Sequence, residues 1–349
     1  MNYNCTGGIM VRNIQFYRTP IDREALRTLT QRKDLPGLIQ CLSLLTVYLF
    51  TTWVSFYFFR HELWIPMVMA CYIHAMLSSF LGMEATVHEL SHKTPFKSKS
   101  LNEIFYGLFS FLSWNNPIHF RESHKRHHQV TVFKGLDKEV VLSPAPFHMR
   151  HILSWFLFDY QKFKNIMRGN LSYALGRDIP DTFYWDPLFE KDDPQRQSMF
   201  LWSRFLILGH LIFLGLFIYF QLWVFIFTFT CSYFFVTFLG RFTGIVQHIG
   251  LKPSVPDWRM TCHTMVFGPV ISFFYWRMNY HIEHHMFAAV PFYNLPKLHA
   301  LMAADTPLPV KGFIRGVKKI MSLMKEQRKN PEWVYIPDLP AGAGPAKMT

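Results

Sequence analysis

The side chains in this chain best suited to chemistry are histidines. His88-Glu89-Leu90-Ser91-His92 sets two imidazoles four residues apart, on one face of a helix, with a glutamate between them. Taken alone, that is a zinc-hydrolase pattern: both histidines and one distant residue bind zinc, and Glu89 activates water. Two other segments argue for something larger. His124-Lys125-Arg126-His127-His128 and His281-Ile282-Glu283-His284-His285 both read HxxHH, and helical spacing of i, i+3 and i+4 puts the three imidazoles of each on one face. With His248, which stands outside any such group, the candidates number nine. Nine neutral imidazoles exceed the four ligands zinc takes and suit borderline transition metals such as iron, with two ions as the natural count. Glu89 and Glu283 would then accept hydrogen bonds from imidazole N–H groups and orient the rings.

The elements that position these residues belong to a membrane protein. Half of the 349 residues are hydrophobic and 17% are charged, yet the mean hydropathy is only +0.09, so a large polar portion sits beside a modest number of spans. Four stretches reach the ~20 apolar residues that cross a bilayer: 38–59, 63–83, 199–220 and 222–240. They pair into two hairpins, turning at Arg60-His61-Glu62 and at Gln221. Of the 36 basic residues, six precede the first span, fifteen lie between 85 and 197, thirteen follow the fourth span, and Arg204 is near the start of the third; only Arg60 falls on the far side. Cytoplasmic segments carry that excess, so both termini and all the histidine groups are expected to face the cytoplasm. The formal charge of +13 suits anionic lipid headgroups or an acidic protein partner. Basic residues scattered among membrane segments, without a binding module, argue against nucleic acid. Cys5, Cys41, Cys71, Cys231 and Cys262 form no CxxC pair, which argues against a disulfide framework or thiolate cluster.

The expected architecture is therefore all-α and integral to the membrane: four transmembrane helices in two hairpins, a cytoplasmic helical cap, and interfacial helices. Residues 1–340 form one domain, and 341–349 a disordered tail. Within the cap, 101–113 and 264–276 are apolar but too short to span, and 147–167 mixes apolar with basic positions as a helix lying in the interface would. His74 and His210 fall within spans, where a neutral, hydrogen-bonded imidazole is expected. His119, His148, His151, His263 and His299 are expected to support the site or lie at the surface.

From Leu38 to Leu301 the chain resembles the membrane fatty acid desaturase and hydroxylase superfamily of di-iron enzymes. The resemblance is carried by HELSH, HKRHH and HIEHH, and by NYHIEHH continued as VPFYNLPKLH. HELSHK and QHIGL are also similar to bacterial alkane monooxygenases. It implies a ligand set of His88, His92, His124, His127, His128, His281, His284 and His285, with His248 as the family's single additional histidine. In animal acyl-CoA desaturases an Asn stands one helical turn before that histidine and reaches iron through water; here the position is Gly244.

The resemblance further implies two Fe2+ ions and O2, a fatty acyl or other lipid substrate, and a multi-pass enzyme, expected in a bacterial inner membrane. A separate electron donor of the ferredoxin, rubredoxin or cytochrome b5 type, with its reductase, is implied as well, because the chain carries neither an HPGG haem segment nor paired cysteines. The third histidine group and its continuation favour desaturation. Hydroxylation, or oxidative decarboxylation to a terminal alkene, would use the same ligands. An intramembrane zinc protease would need only His88, Glu89, His92 and one distant ligand, leaving both HxxHH groups unexplained. A metal carrier would place ionisable residues along a path through the bilayer, whereas these collect at one face.

Overall fold

The computed structural model describes residues 3–6, 9–12, 14–140, 149–179 and 187–348, and its regular structure is predominantly helical. A short helix α1 (Arg23–Leu29), capped by Asp22, leads into α2 (Asp34–Arg60), whose 27 residues extend about 40 Å at ~1.5 Å per residue. Leu35, Ile39, Leu42, Leu49, Phe50 and Trp53 on α2 are exposed, so this apolar helix is not the core of a soluble domain. Packed along it is α3 (Trp64–Ser78). The turn between them uses Glu62 at φ 56, in the left-handed region. The histidine-bearing cap comes next: α4 (Thr86–Ser91), α5 (Lys99–Leu112) and α6 (Pro117–Val130). Beyond it come α7 (Met149–Ser154), α8 (Tyr160–Ala174), and α9 (Pro194–Tyr219), a second long apolar helix with Leu201, Phe205, Leu208, Leu211 and Ile212 exposed.

Two helices, α2 and α9, are thus long and apolar enough to cross a bilayer, and α3 is shorter. The expected turn at Gln221 is present, with φ 56. Residues 222–240, however, do not form the single helix expected there. They hold a π-helical turn at Ile226–Thr230 and a 3-10 turn at Ser232–Phe234, and then enter α10 (Phe238–Ile245). The cause lies in the carbonyls of this segment. The Thr228 carbonyl accepts from Tyr48 Oη (2.8 Å) and contacts His74 Nε2 (2.6 Å), and the Thr230 carbonyl accepts from Trp114 Nε1 (2.7 Å). The amides of Val236 and Phe238 turn outward to the carbonyls of Leu157 and Trp155. Outside groups thus compete for the helix's own ladder. His74 and His210 both act structurally, His210 by bonding the Phe111 carbonyl and stacking on Trp114.

The helix expected over 147–167 is instead α7 and α8, the latter started by the Asp159 side chain; residues 147 and 148 lie outside the described residues. The short apolar stretches behave as non-spanning pieces: 101–113 is the amphipathic α5, and 264–276 holds a two-residue strand, Met265–Val266, paired in parallel with Val310–Lys311, and α12 (Pro269–Phe274).

The remaining helices, α11 (Trp258–Thr261), α13 (His281–Met286), α14 (Leu295–Met302) and α15 (Phe313–Lys329), close the cap. A fully buried arginine ties these pieces together. Arg259 pairs with Asp257 (2.7 Å) and Asp305 (2.9 Å) and lies over the Tyr17 ring. It also donates to the carbonyls of Gly344 and Pro345. Tyr17 and Thr19 bond Asp305 from the N-terminal side. A guanidinium buried this deeply persists because it is paired several times over.

Candidate metal centre

Three short helices carry the histidine groups, and local sequence sets each. On α4, His88 begins one face and His92 caps the helix. The Asn116 side chain accepts from the His119 amide and Pro117 stands in the first turn, which fixes the start of α6 and hence the phase of His124, His127 and His128. On α13, Thr264 Oγ1 accepts from the Ile282 amide and sets its first turn.

All nine sequence-selected histidines meet, in two abutting groups. His88, His92, His124, His128 and His284 bring one ring nitrogen each within 4.8 Å of one another, as do His127, His248 and His285. His281 joins the second group, its Nε2 3.0 Å from both His248 Nε2 and His285 Nε2. The rings of His128 and His285 stack at 4.2 Å across the boundary. Each HxxHH segment is therefore divided: α6 gives His124 and His128 to the first group and His127 to the second, and α13 gives His284 to the first and His281 and His285 to the second.

The ring nitrogens converge, and several of the outward-facing ones have protein partners. His248 Nδ1 donates to the Thr261 carbonyl at 2.9 Å. His285 Nδ1 lies 3.2 Å from Thr131 Oγ1, whose own proton goes to the His127 carbonyl. His127 Nδ1 meets Asp137 at 2.8 Å, His124 Nδ1 meets Glu139 at 2.7 Å, and His284 Nδ1 lies 3.2 Å from Glu89. Where Nδ1 carries the proton, Nε2 offers a lone pair to the centre of the group. His88–His284, His124–His128, His248–His281 and His281–His285 approach at 3.0 Å between Nε2 atoms, and His92–His124 at 3.1 Å. Each group could hold one cation among these nitrogens.

Burial supports the neutral state that metal ligands need. Burial, reinforced by neighbouring imidazoles, holds His88, His124, His128, His281 and His285 well below the usual histidine range, and burial brings His92, His248 and His284 to about 3. His127 goes the other way. Burial lowers it, but Asp137 and Glu139 outweigh burial and raise it, marking a spot that favours positive charge. Burial likewise pushes the carboxyls of Glu89 and Glu139 up to about 7.

The carboxylates divide unevenly. Glu89 lies 3.2 Å from His284 Nδ1, a contact without hydrogen-bond geometry. Glu283 does not face a boxed histidine; its oxygens meet Thr264 Oγ1 and His299 Nδ1 at 2.5 Å each, so it braces α13 against α14. Two further acids that meet box histidines, Asp137 and Glu139, are not singled out by the sequence. Their signal was the acidic GLDKEV run just after the first HxxHH, which looks like an ordinary loop. His263 contacts the Ile249 carbonyl and His119 packs at a tilt against the Tyr173 ring, neither in the metal groups; His148 is outside the described residues.

Asp137 offers a test of this arrangement. It also accepts from the Val132 and Glu139 amides, so it is fixed before any metal arrives. Asp137→Asn should lower metal affinity or turnover by about 10- to 100-fold, the usual cost of losing a carboxylate behind a ligating histidine. Unchanged metal retention on dialysis against a chelator would show that Asp137 does not hold a ligand.

Residues 62–314 match a family model described as fatty acid desaturase. The match takes in all nine histidines and more than half of the chain, and leaves out α2. No curated protein matches the chain.

Proposed function

The chain belongs to the fatty acid desaturase family, and from that premise we propose that it is an O2-dependent di-iron membrane oxidoreductase that desaturates a fatty acyl chain. The observation that carries the reading is the pair of histidine groups whose ring nitrogens converge, with Nε2 atoms 3.0 Å apart within each. Their proposed ligand sets are His88, His92, His124, His128 and His284 for one ion, and His127, His248, His281 and His285 for the other. Iron so held supplies the activation of O2 that breaking an unactivated C–H bond requires. The reaction balances as one O2, two electrons and two protons taken up, two hydrogens removed from adjacent carbons, and two waters released.

The chain's own residues have the tasks of position and exclusion. The ligands come from short helices wedged between Arg259's knot and the α5 face, so the reacting carbon would be held against a rigid wall, and placement decides between alkene and alcohol. A cavity of about 1280 Å³ reaches His88, His127 and His248 from one side. From another, a pocket of about 600 Å³ reaches His92, His124, His128 and His285, with Arg18, Lys93, Arg121 and Lys125 along it. We assign the first to substrate and the second to an acidic electron donor, whose charge the basic rim would steer.

For topology we propose four crossings, with α2 and α3 as one hairpin and α9 and the interrupted 222–240 segment as the other, both termini and the metal groups being cytoplasmic. The distribution of basic residues supports it. One domain spans 1–340 in this reading.

The test is product analysis. Iron-loaded protein, acyl substrate, O2 and a reduced ferredoxin, rubredoxin or cytochrome b5 should give a product lacking two hydrogens by mass spectrometry. Gain of one oxygen, or loss of the carboxyl carbon, would replace desaturation with hydroxylation or decarboxylation. With NAD(P)H and O2 as the sole co-reactants, no multiple turnover is expected; sustained turnover would refute the need for a donor.

A further inference from the structure

The large cavity holds, besides the histidines, a charged cluster that metal binding does not use. Glu84 and Arg241 line its wall, with Gln161 and Asn165 beside them. Glu84 is saturated: Lys162 Nζ meets Oε1 at 2.8 Å and Tyr233 Oη donates to Oε2 at 2.6 Å. Asp159, fully buried, accepts from Thr237 Oγ1, from the Lys162 amide, and at 2.7 Å from Arg241 Nε. Arg241 is thereby gripped from the side. Its two terminal nitrogens have no hydrogen-bond partner among the described residues, and its side chain keeps 31% exposure at the cavity wall. A guanidinium fixed at Nε presents its end as a planar fork of parallel N–H groups, the shape that a carboxylate fits with two bonds. Exposed at the cavity wall, that fork can exchange water for the carboxylate of a bound molecule.

Arg241 precedes His248 by seven residues on α10 and the turn after it, a separation on the order of 10 Å at ~1.5 Å per residue. A molecule in the cavity can therefore touch Arg241 with one end and the metal wall with the other. Trp155, Ile245 and Met324 give that cavity apolar lining for a hydrocarbon chain.

We propose that the substrate enters as a free carboxylic acid, its carboxylate held end-on by Arg241. An ester or thioester lacks the anionic oxygen pair and would leave the fork unpaired. A phosphate would bring a second negative charge beside Glu84 and Asp159, which the cluster disfavours. The inference rests on the proposed lipid-oxidising function and narrows its substrate to one head group.

Binding, not turnover, tests it. Purified full-length protein in detergent is titrated calorimetrically with dodecanoate, octadecanoate, their methyl esters and dodecyl phosphate. At one chain length or the other, the acid should bind at least about tenfold tighter than its ester, a difference of about 1.4 kcal/mol, and dodecyl phosphate should bind more weakly than dodecanoate. Arg241→Gln should remove the preference for acid and leave ester binding unchanged; Arg241→Lys, which keeps charge without the fork, should recover it in part. Equal binding of acid and ester by the unaltered protein overturns the proposal without recourse to any variant. So does tighter binding of the phosphate, or a preference for acid that survives in Arg241→Gln. If esters or thioesters are oxidised while acids do not bind, the head-group inference fails and the oxidase reading stands. If acids bind as expected but nothing is oxidised with iron, O2 and donor present, the reverse holds.

Discussion

His88→Ala or His92→Ala is expected to bring turnover below detection, while Glu89→Gln stays within about a hundredfold of the unaltered enzyme. Both histidines belong to the five-membered group: His88 Nε2 lies 3.0 Å from His284 Nε2, and His92 Nε2 lies 3.1 Å from His124 Nε2. Removing either takes away a ligand that nothing nearby can replace, because the other imidazoles of the group are already turned to the same point. Glu89 is placed differently. It stands behind His284, 3.2 Å from Nδ1, and glutamine keeps an oxygen and the same side-chain size at that place. In a zinc protease the order inverts: Glu89→Gln keeps the metal and loses all turnover, and His124→Ala is harmless. Paired assays of the variants, with metal content measured alongside activity, distinguish the two patterns.

His248→Ala should reduce bound iron from about two per chain toward one and abolish turnover, with expression and detergent stability preserved. Its Nε2 lies 3.0 Å from His281 Nε2, its Nδ1 is fixed by the Thr261 carbonyl, and it is 5% exposed. In a group of four, one ligand is a large fraction of the binding. Structural cost should be small, since His248 borders the large cavity and water can fill the space its ring leaves. Gly244, one helical turn earlier on α10, also faces that cavity, and a Cβ built there would meet nothing within 4 Å. No side chain from that position therefore supplements the second group. Two irons and near-normal turnover in His248→Ala would remove it from the ligand set.

Much of the site was legible from residue spacing, because i, i+3 and i+4 histidines on a helix must share a face whatever the helix packs against. What spacing does not contain is the second half of each ligand's environment. The division of His124, His127 and His128 between two groups depends on how α4 and α13 approach α6, a tertiary fact. Asp137 and Glu139 reach the site by a turn whose residues are common in any loop. Glu283, adjacent to a ligand in sequence, points toward His299 because α14 packs on that side. The fold shows the same limit. Apolar length located α2, α9 and both hairpin turns, yet it treated 222–240 as one helix. There Tyr48, His74 and Trp114, all distant in sequence, occupy the carbonyls a continuous helix would use.

The central claim, two imidazole-bound irons in two adjoining groups, is tested most directly by the metal content of the purified protein. Inductively coupled plasma mass spectrometry after chelator dialysis should find about two irons per chain and little zinc. One zinc per chain, or metal lost readily on dialysis, would contradict it.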